Sequence, residues 1–199
     1  MNKSVKFWDR IAEKYAKSPI RDMEGYEATL DMTRAHLKPT DHVLELGCGT
    51  GTTSLKLAPS VARITATDYA EAMVAICTRR AEEQGIDNVT FRTADPFDPA
   101  LEVGGYDVVM GWNFYHLMDD MAAGFRRSHE LLVIGYSCRA CSCICAQVGT
   151  GRSMVRLLHD FGYDTAVVTR LSNGGHELCH QQVVRSNPAA RRWGDQIRE

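Results

Sequence analysis

Three glycines alternate in Glu45-Leu46-Gly47-Cys48-Gly49-Thr50-Gly51, directly behind the apolar pair Val43-Leu44. A helical pattern, 52–57, follows at once. Glycines at such a turn allow positive φ and let a ligand press against bare backbone. The free N–H groups of the first helical turn point into the same space. Three more groups come later at the ends of short apolar stretches: Asp68, Asp95 and, shortly after Trp112 and Asn113, His116. A carboxylate in such a place accepts charge-assisted hydrogen bonds from hydroxyls or an amino group. A histidine there can move a proton near neutral pH. The set describes recognition of a polar small molecule, with one group available for acid–base work.

The elements that must position these residues read as an α/β chain. From residue 42 the order is strand, helix, strand, helix, strand, which calls for a parallel sheet. Strands are expected at 42–46, 62–67, 88–93 and 106–112, the last almost continuously apolar as a buried parallel strand should be. Helices are expected at 52–57, 70–84 (with Gly85 just past its end) and 119–132. In such a sheet ligands sit beyond the carboxyl ends of the strands, which brings the residues above to one edge. Two helices precede this body, at 4–17 with Ser4 as cap and at about 22–37, stopped by Ser18-Pro19 and Lys38-Pro39. The last third predicts a fifth strand at 140–148, a helix at 152–161, and a closing hairpin of 164–171 with 177–185 across Ser172-Asn173-Gly174-Gly175. The domain reading is an N-terminal helical segment, 1–39, a ligand-binding body, 40–186, and a tail, 187–199.

Glu45 to Gly51, followed in order by Asp68 and Asp95, resembles the class I S-adenosylmethionine (SAM)-dependent methyltransferases. The likeness covers roughly 5–120 well and the rest loosely. It implies a doubly wound, mostly parallel Rossmann-like sheet, SAM as cofactor, and transfer of its methyl group to a small-molecule acceptor. It also implies roles. Gly47, Cys48, Gly49 and Gly51 would contact the amino-acid half of SAM, with Glu45 fixing the loop or the cofactor's ammonium. Asp68 would accept both ribose hydroxyls, and Tyr69 would lie against adenine. Asp95 would accept the adenine amino group. The family commonly uses the next N–H for an adenine nitrogen, but that residue is Pro96, which has none, leaving Phe97 as the substitute. Phe7-Trp8-Asp9-Arg10-Ile11-Ala12-Glu13-Lys14-Tyr15 resembles a segment that folds over the cofactor, so Tyr15 joins the cofactor set. Trp112 and His116 would stand between cofactor and acceptor, His116 as general base.

Each assignment has a plainer counterpart. The glycines could make a structural turn, Asp68 an N-cap for the helix at Ala70, and His116 a structural histidine beside a helix. Trp112 and Tyr115 could be pocket walls or core, and the N-terminal helices simple packing. Two other functions compete: a nicotinamide-dependent oxidoreductase, whose fingerprint needs a small residue where Thr52 stands, and a non-catalytic SAM-binding interaction protein. The stretch 127–150 lacks the family's Pro-Gly-Gly turn and is rich in Arg, Ser and Cys.

Bulk properties narrow the field. The 199 residues suit one domain with a real core, and a net charge of −2 gives no electrostatic case for nucleic acid or anionic membrane. No run approaches the ~18 apolar residues of a membrane span, and no signal-like segment opens the chain, so the cytoplasm is the expected location. The seven cysteines form no even framework. Cys141, Cys143 and Cys145 would share one strand face as small hydrophobes, and no metal site is expected.

Overall fold

A computed structural model describes residues 3–133 and the strands at 142–146, 163–164, 168–169 and 180–186. Its elements are α1 (Lys3–Ala16), α2 (Met23–Arg34), β1 (His42–Leu46), α3 (Thr52–Leu57), β2 (Arg63–Asp68), α4 (Glu71–Gln84) and β3 (Val89–Thr93). There follow β4 (Val108–Trp112), α5 (Met121–Leu131), β5 (Ser142–Ala146), β6 (Tyr163–Asp164), β7 (Val168–Thr169) and β8 (His180–Ser186). The sheet order is β3-β2-β1-β4-β5-β8-β6, with β7 also on β8. Strands β3 to β5 of that order pair in parallel; β8 runs antiparallel to β5, β6 and β7. The chain therefore winds outward from β1 in one direction to β3, then crosses back to β4. That reversal between β1 and β4 opens a crevice at their carboxyl ends, the place where open α/β sheets hold ligands.

Alternation along the strands divides the core between the two faces. Val43, Val108 and Met110 pack with Leu30 of α2, Leu57 of α3 and Cys77 of α4. Leu44, Leu46 and Val109 point the other way, against Tyr115, Phe125 and Leu131. The register pairs Val43 with Val108 and Glu45 with Met110, so Glu45 faces the α2–α3 side. A one-residue slip would exchange every one of these side chains between faces. Tyr115, fully buried, is core: its ring stacks on Phe125 at 4.5 Å and its hydroxyl lies 2.8 Å from Ser128 Oγ.

Local chemistry explains the helix ends. Asp22 caps α2 by accepting from the Gly25 N–H, Asp120 caps α5 by accepting from the Ala123 N–H, and Gly85 closes α4 at φ 64°. Ser4 lies inside α1 rather than capping it, since the helix begins at Lys3. Ala70 stands at the N-cap of α4 with no side-chain acceptor of its own. The acceptor comes from α1 instead: Asp9 Oδ1 takes the Ala72 N–H at 3.0 Å. Around that bond Trp8, Ala12 and Ala16 pack on Ala70, Met73 and Ile76.

From α1 to α5 the expected elements recur within a residue or two, the ordinary scatter of helix and strand ends, except that α2 stops at Arg34, three residues short; of the hairpin expected at 164–171 and 177–185, strands are described at Val168–Thr169 and His180–Ser186. The expected fifth strand is present over Ser142–Ala146, and the antiparallel pairing of the closing hairpin is present as β7 with β8. The helix at 152–161, the turn at 172–175, the tail at 187–199, and Cys138, Cys141 and Cys179 lie outside the described residues.

Because α4 depends on a cap from another helix, Asp9→Ala should cost about 1 kcal/mol, the usual worth of an N-cap. Urea denaturation would show the loss, and hydrogen exchange would place it at the first turn of α4. Unchanged stability would mean that water replaces the carboxylate without penalty.

Candidate cofactor site

The turn between β1 and α3 is built on alternating left-handed backbone: φ is 69° at Gly47, 55° at Gly49 and 75° at Gly51. The three glycines are not equivalent. A Cβ on Gly47 would stand 2.1 Å from the Phe114 ring, and one on Gly51 would stand 2.9 Å from Cys77 Sγ. Packing accounts for both. At Gly49 the nearest atom would be 4.0 Å away, on the Tyr15 ring. The space beside Gly49 is therefore open, walled by the exposed Tyr15 of α1, and is of the kind a ligand fills.

Asp68 governs this turn. Its Oδ2 accepts the Gly49 N–H and its Oδ1 the Ala70 N–H, each at 2.9 Å. Burial raises its pKa above the ordinary carboxylate value, the two backbone N–H bonds oppose the rise, and the charge of Asp9 adds to it. Asp68 is therefore not the N-cap of α4, a position that Ala70 holds; its carboxylate instead ties the residue at that cap to the glycine turn. The Tyr69 N–H also bonds this carboxylate, whose roughly four acceptor positions leave room for a hydroxyl. Tyr69, half-buried, follows it at the mouth of the crevice.

Glu45 is 1% exposed and accepts a hydrogen bond from Ser54 Oγ, which joins β1 to the first turn of α3. Burial pushes its pKa up to about 8, against the Ser54 hydrogen bond and with help from the charge of Asp68. Cys48 offers the crevice its backbone alone. Its side chain is buried against Cys77, whose thiol in turn donates to the Gly49 carbonyl at 3.1 Å. The thiol contact and burial hold the Cys48 pKa well above the ordinary value.

Beyond β3, Asp95 is exposed, Pro96 buried and Phe97 51% exposed. The Phe97 N–H, expected to replace the one that Pro96 lacks, instead donates to Asp95 Oδ1 at 2.7 Å. Arg127 of α5 fixes this loop through the carbonyls of Pro96 and Leu101, at 3.1 and 3.3 Å. Beyond β4, Trp112 lies against Tyr26 of α2, ring centroids 6.2 Å apart, with its indole N–H buried and without an acceptor. Asn113 follows in left-handed backbone, φ 50°. His116 sits in the short turn Tyr115–Leu117, with its side chain outside the described residues. Asp68 thus bonds the glycine turn directly, Tyr15 faces Gly49 across the open space, and Glu45 lies beneath the turn; Asp95 and Trp112 follow the ends of other strands of the same sheet.

Residues 43–135, a little under half of the chain, match the methyltransferase domain family. The stretch that matches has the fold of the SAM-dependent methyltransferases. It is 33% identical over 133 residues to nocamycin O-methyltransferase of Saccharothrix syringae, covering 63% of this chain and 45% of that protein. It is 30% identical over 141 residues to magnesium-protoporphyrin O-methyltransferase of Rhodobacter capsulatus, covering 65% and 62%. The chain thus spans about half to three-fifths of the length of these relatives. In structure it is similar to magnesium protoporphyrin IX methyltransferase of Synechocystis PCC 6803, solved with bound SAM: TM-score 0.64, 22% identity, 93% of this chain and 92% of that one. That likeness is one of fold.

Several residues that shape this crevice carry no local signal. Ser54 sits within an ordinary helical pattern, and Arg80 on the flank of α4 reaches Thr50 and Ala16 from 30 and 64 residues away. Asp9 belongs to the Phe7–Tyr15 segment, yet its spacing says nothing of a partner 63 residues on. Among the described residues no cluster of three or more His, Cys, Asp or Glu could hold a metal ion.

The Glu45 carboxyl keeps its proton to about pH 8 when folded but ionises near 4.5 when unfolded. Stability from this group is therefore full below 4.5 and lost as pH rises toward 8. Glu45→Gln should escape that loss, its stability relative to the parent chain growing by up to a few kcal/mol over this window. Urea midpoints at several pH values would test it; parallel pH profiles for the two proteins would show that Glu45 ionises freely in the fold.

Proposed function

We propose that this chain transfers the sulfonium methyl group of SAM to an oxygen atom of a small molecule. The observation that carries the reading is the open space beside Gly49, bounded by Tyr15 and by Asp68, at the reversal point of the sheet. The donor set fits the cofactor. Backbone of the glycine turn would meet its amino-acid end, Asp68 its ribose hydroxyls, and Tyr69, Asp95 and Phe97 its adenine. Residues 1–39 would cover it, and residues 40–186 would form the body that binds it. The O-methyltransferase relatives support oxygen as the acceptor atom. The near-neutral charge balance supports a small-molecule partner over nucleic acid, and the reaction is placed in the cytoplasm.

When bound, SAM supplies an already activated methyl group on a positively charged sulfur. This chain's part is to bind, align and exclude water, and positioning alone can remove ~7–11 kcal/mol of barrier. Trp112 and Asn113 would line the side from which an acceptor oxygen enters, and the proton that this oxygen gives up on methylation would pass to a base. His116, in the turn after β4, is the residue proposed to take it. An ionised Asp68 beside the turn would favour a cation over a neutral molecule.

Calorimetry of the full chain with S-adenosylhomocysteine, and with NADH in parallel, tests the cofactor. Micromolar binding of S-adenosylhomocysteine alone is expected. Gly49→Ala should weaken it at least tenfold while costing about 1 kcal/mol of stability, because the added methyl fills the ligand space and meets no protein atom closer than 4.0 Å. Asp68→Asn should weaken it by about 1.5–3 kcal/mol, the range for a hydrogen bond to a charged group. Binding of NADH, or full affinity in the Gly49 variant, would overturn the reading.

A further inference from the structure

Arg80 of α4 is half-buried, and its guanidinium reaches three elements at once. It donates to the Ala16 carbonyl at 2.7 Å, to the Thr50 carbonyl at 3.0 Å and to Thr52 Oγ1 at 3.1 Å. These acceptors are the last residue of α1, the glycine turn, and the first residue of α3. All three are uncharged oxygens, so the contacts are fixed by the planar fork of the guanidinium rather than by an ion pair. A lysine, with a single ammonium, has no such fork. The turn held in this way is the one whose Gly49 N–H is fixed by Asp68, and whose open side is walled by Tyr15 from α1. From its middle α1 is tied to α4 by Asp9 on the Ala72 N–H, and one turn further on by Glu13 with Arg79 at 3.2 Å.

We propose that Arg80 is a positioning residue that couples the docking of α1 to the shape of the glycine turn. The coupling rests on the reading of that turn as the cofactor site only in its consequence: a ligand at the turn would tighten α1, and a docked α1 would tighten ligand binding by the same factor. A carbonyl at Thr50 left without its guanidinium could rotate, and with it the peptide that carries the Gly51 N–H. A carbonyl at Ala16 left without it would free the last turn of α1, which carries Tyr15. With Arg80 in place neither can move alone.

A double-mutant cycle on the ligand-free full chain tests this by hydrogen exchange. Ala12→Gly removes a methyl from the buried α1–α4 contact, loosening α1 without changing a charge or touching the turn. Exchange should quicken in 3–16 and, at least threefold, at the amides of Cys48, Gly49, Gly51 and Leu55, which are hydrogen-bonded in the turn. In an Arg80→Gln background the same Ala12→Gly change should leave those four amides no faster than Arg80→Gln alone. Arg80→Lys should fail to restore the coupling, and it carries the cycle if Arg80→Gln does not fold. Quickening confined to α1, or quickening of the turn that persists without Arg80, would overturn the proposal. In titrations with S-adenosylhomocysteine, Ala12→Gly should weaken binding at least threefold in the parent chain but not in Arg80→Gln. Failure of the parent chain to bind would sink the cofactor reading, and the exchange cycle would still decide the coupling by itself.

Discussion

A single carboxylate fixes the working end of this sheet. Asp68 holds the glycine turn through the Gly49 N–H and the start of α4 through the Ala70 N–H. A turn whose glycines alternate at positive φ has little conformational preference of its own. It keeps one shape because its donors have partners: Asp68 for Gly49, the Thr67 carbonyl for Cys48, and the Cys48 carbonyl for Gly51. Packing supplies the rest, with Phe114 and Cys77 filling the volumes that side chains at Gly47 and Gly51 would need. The shape of the turn at Gly49 is thus an outcome of two glycines fixed for structural reasons and one left open.

The acidic groups beneath and beside this turn follow a common logic. Glu45 and Asp68 are both withdrawn from water, and the charge of Asp68 helps to raise the pKa of Glu45. Among the described residues neither has an Arg or Lys hydrogen-bond partner; Ser54 and backbone N–H groups hold them instead. Buried carboxyls without a counter-ion are costly to the fold. They are physically reasonable beside a ligand that brings a positive charge, as a sulfonium and an ammonium would. On the proposed reaction the sulfonium charge is lost with the methyl group. The field that favours the substrate cofactor then favours the neutral product less.

What the sequence disclosed and what it did not divide along the distance over which a signal acts. The bounds of β1 and α3 were legible because an apolar run, a glycine turn and a helical repeat follow one another within sixteen residues, 42–57. The positions of Gly47, Gly49, Gly51 and Asp68 at one crevice were legible because strand ends in a parallel sheet share an edge. The contacts that assemble the site were not. Asp9 on α4, Arg80 on Ala16, and Arg127 on Pro96 each join residues about 30 or more apart, and no local pattern encodes which pair will meet. The Phe97 N–H shows the reverse case. Its capture by Asp95, two residues away, is a local Asx turn that an acidic residue ahead of Pro-Phe could have announced.

The same contrast explains why the N-terminal helix cannot be treated as an accessory. A helix of fourteen residues with an apolar stripe has only marginal stability alone. Here its burial against Ala70, Met73 and Ile76 is accompanied by three polar ties, each ending on α4. Two of those ties act on groups that the site requires: Asp9 satisfies the N-terminus of the helix that follows Asp68, and Arg80 holds the turn. The wall that Tyr15 provides is therefore mechanically continuous with the floor that Gly49 provides. An element that closes over a cofactor needs some such linkage. Without it, ligand contacts made by the helix and by the turn would be independent, and occupancy of one would carry no information to the other.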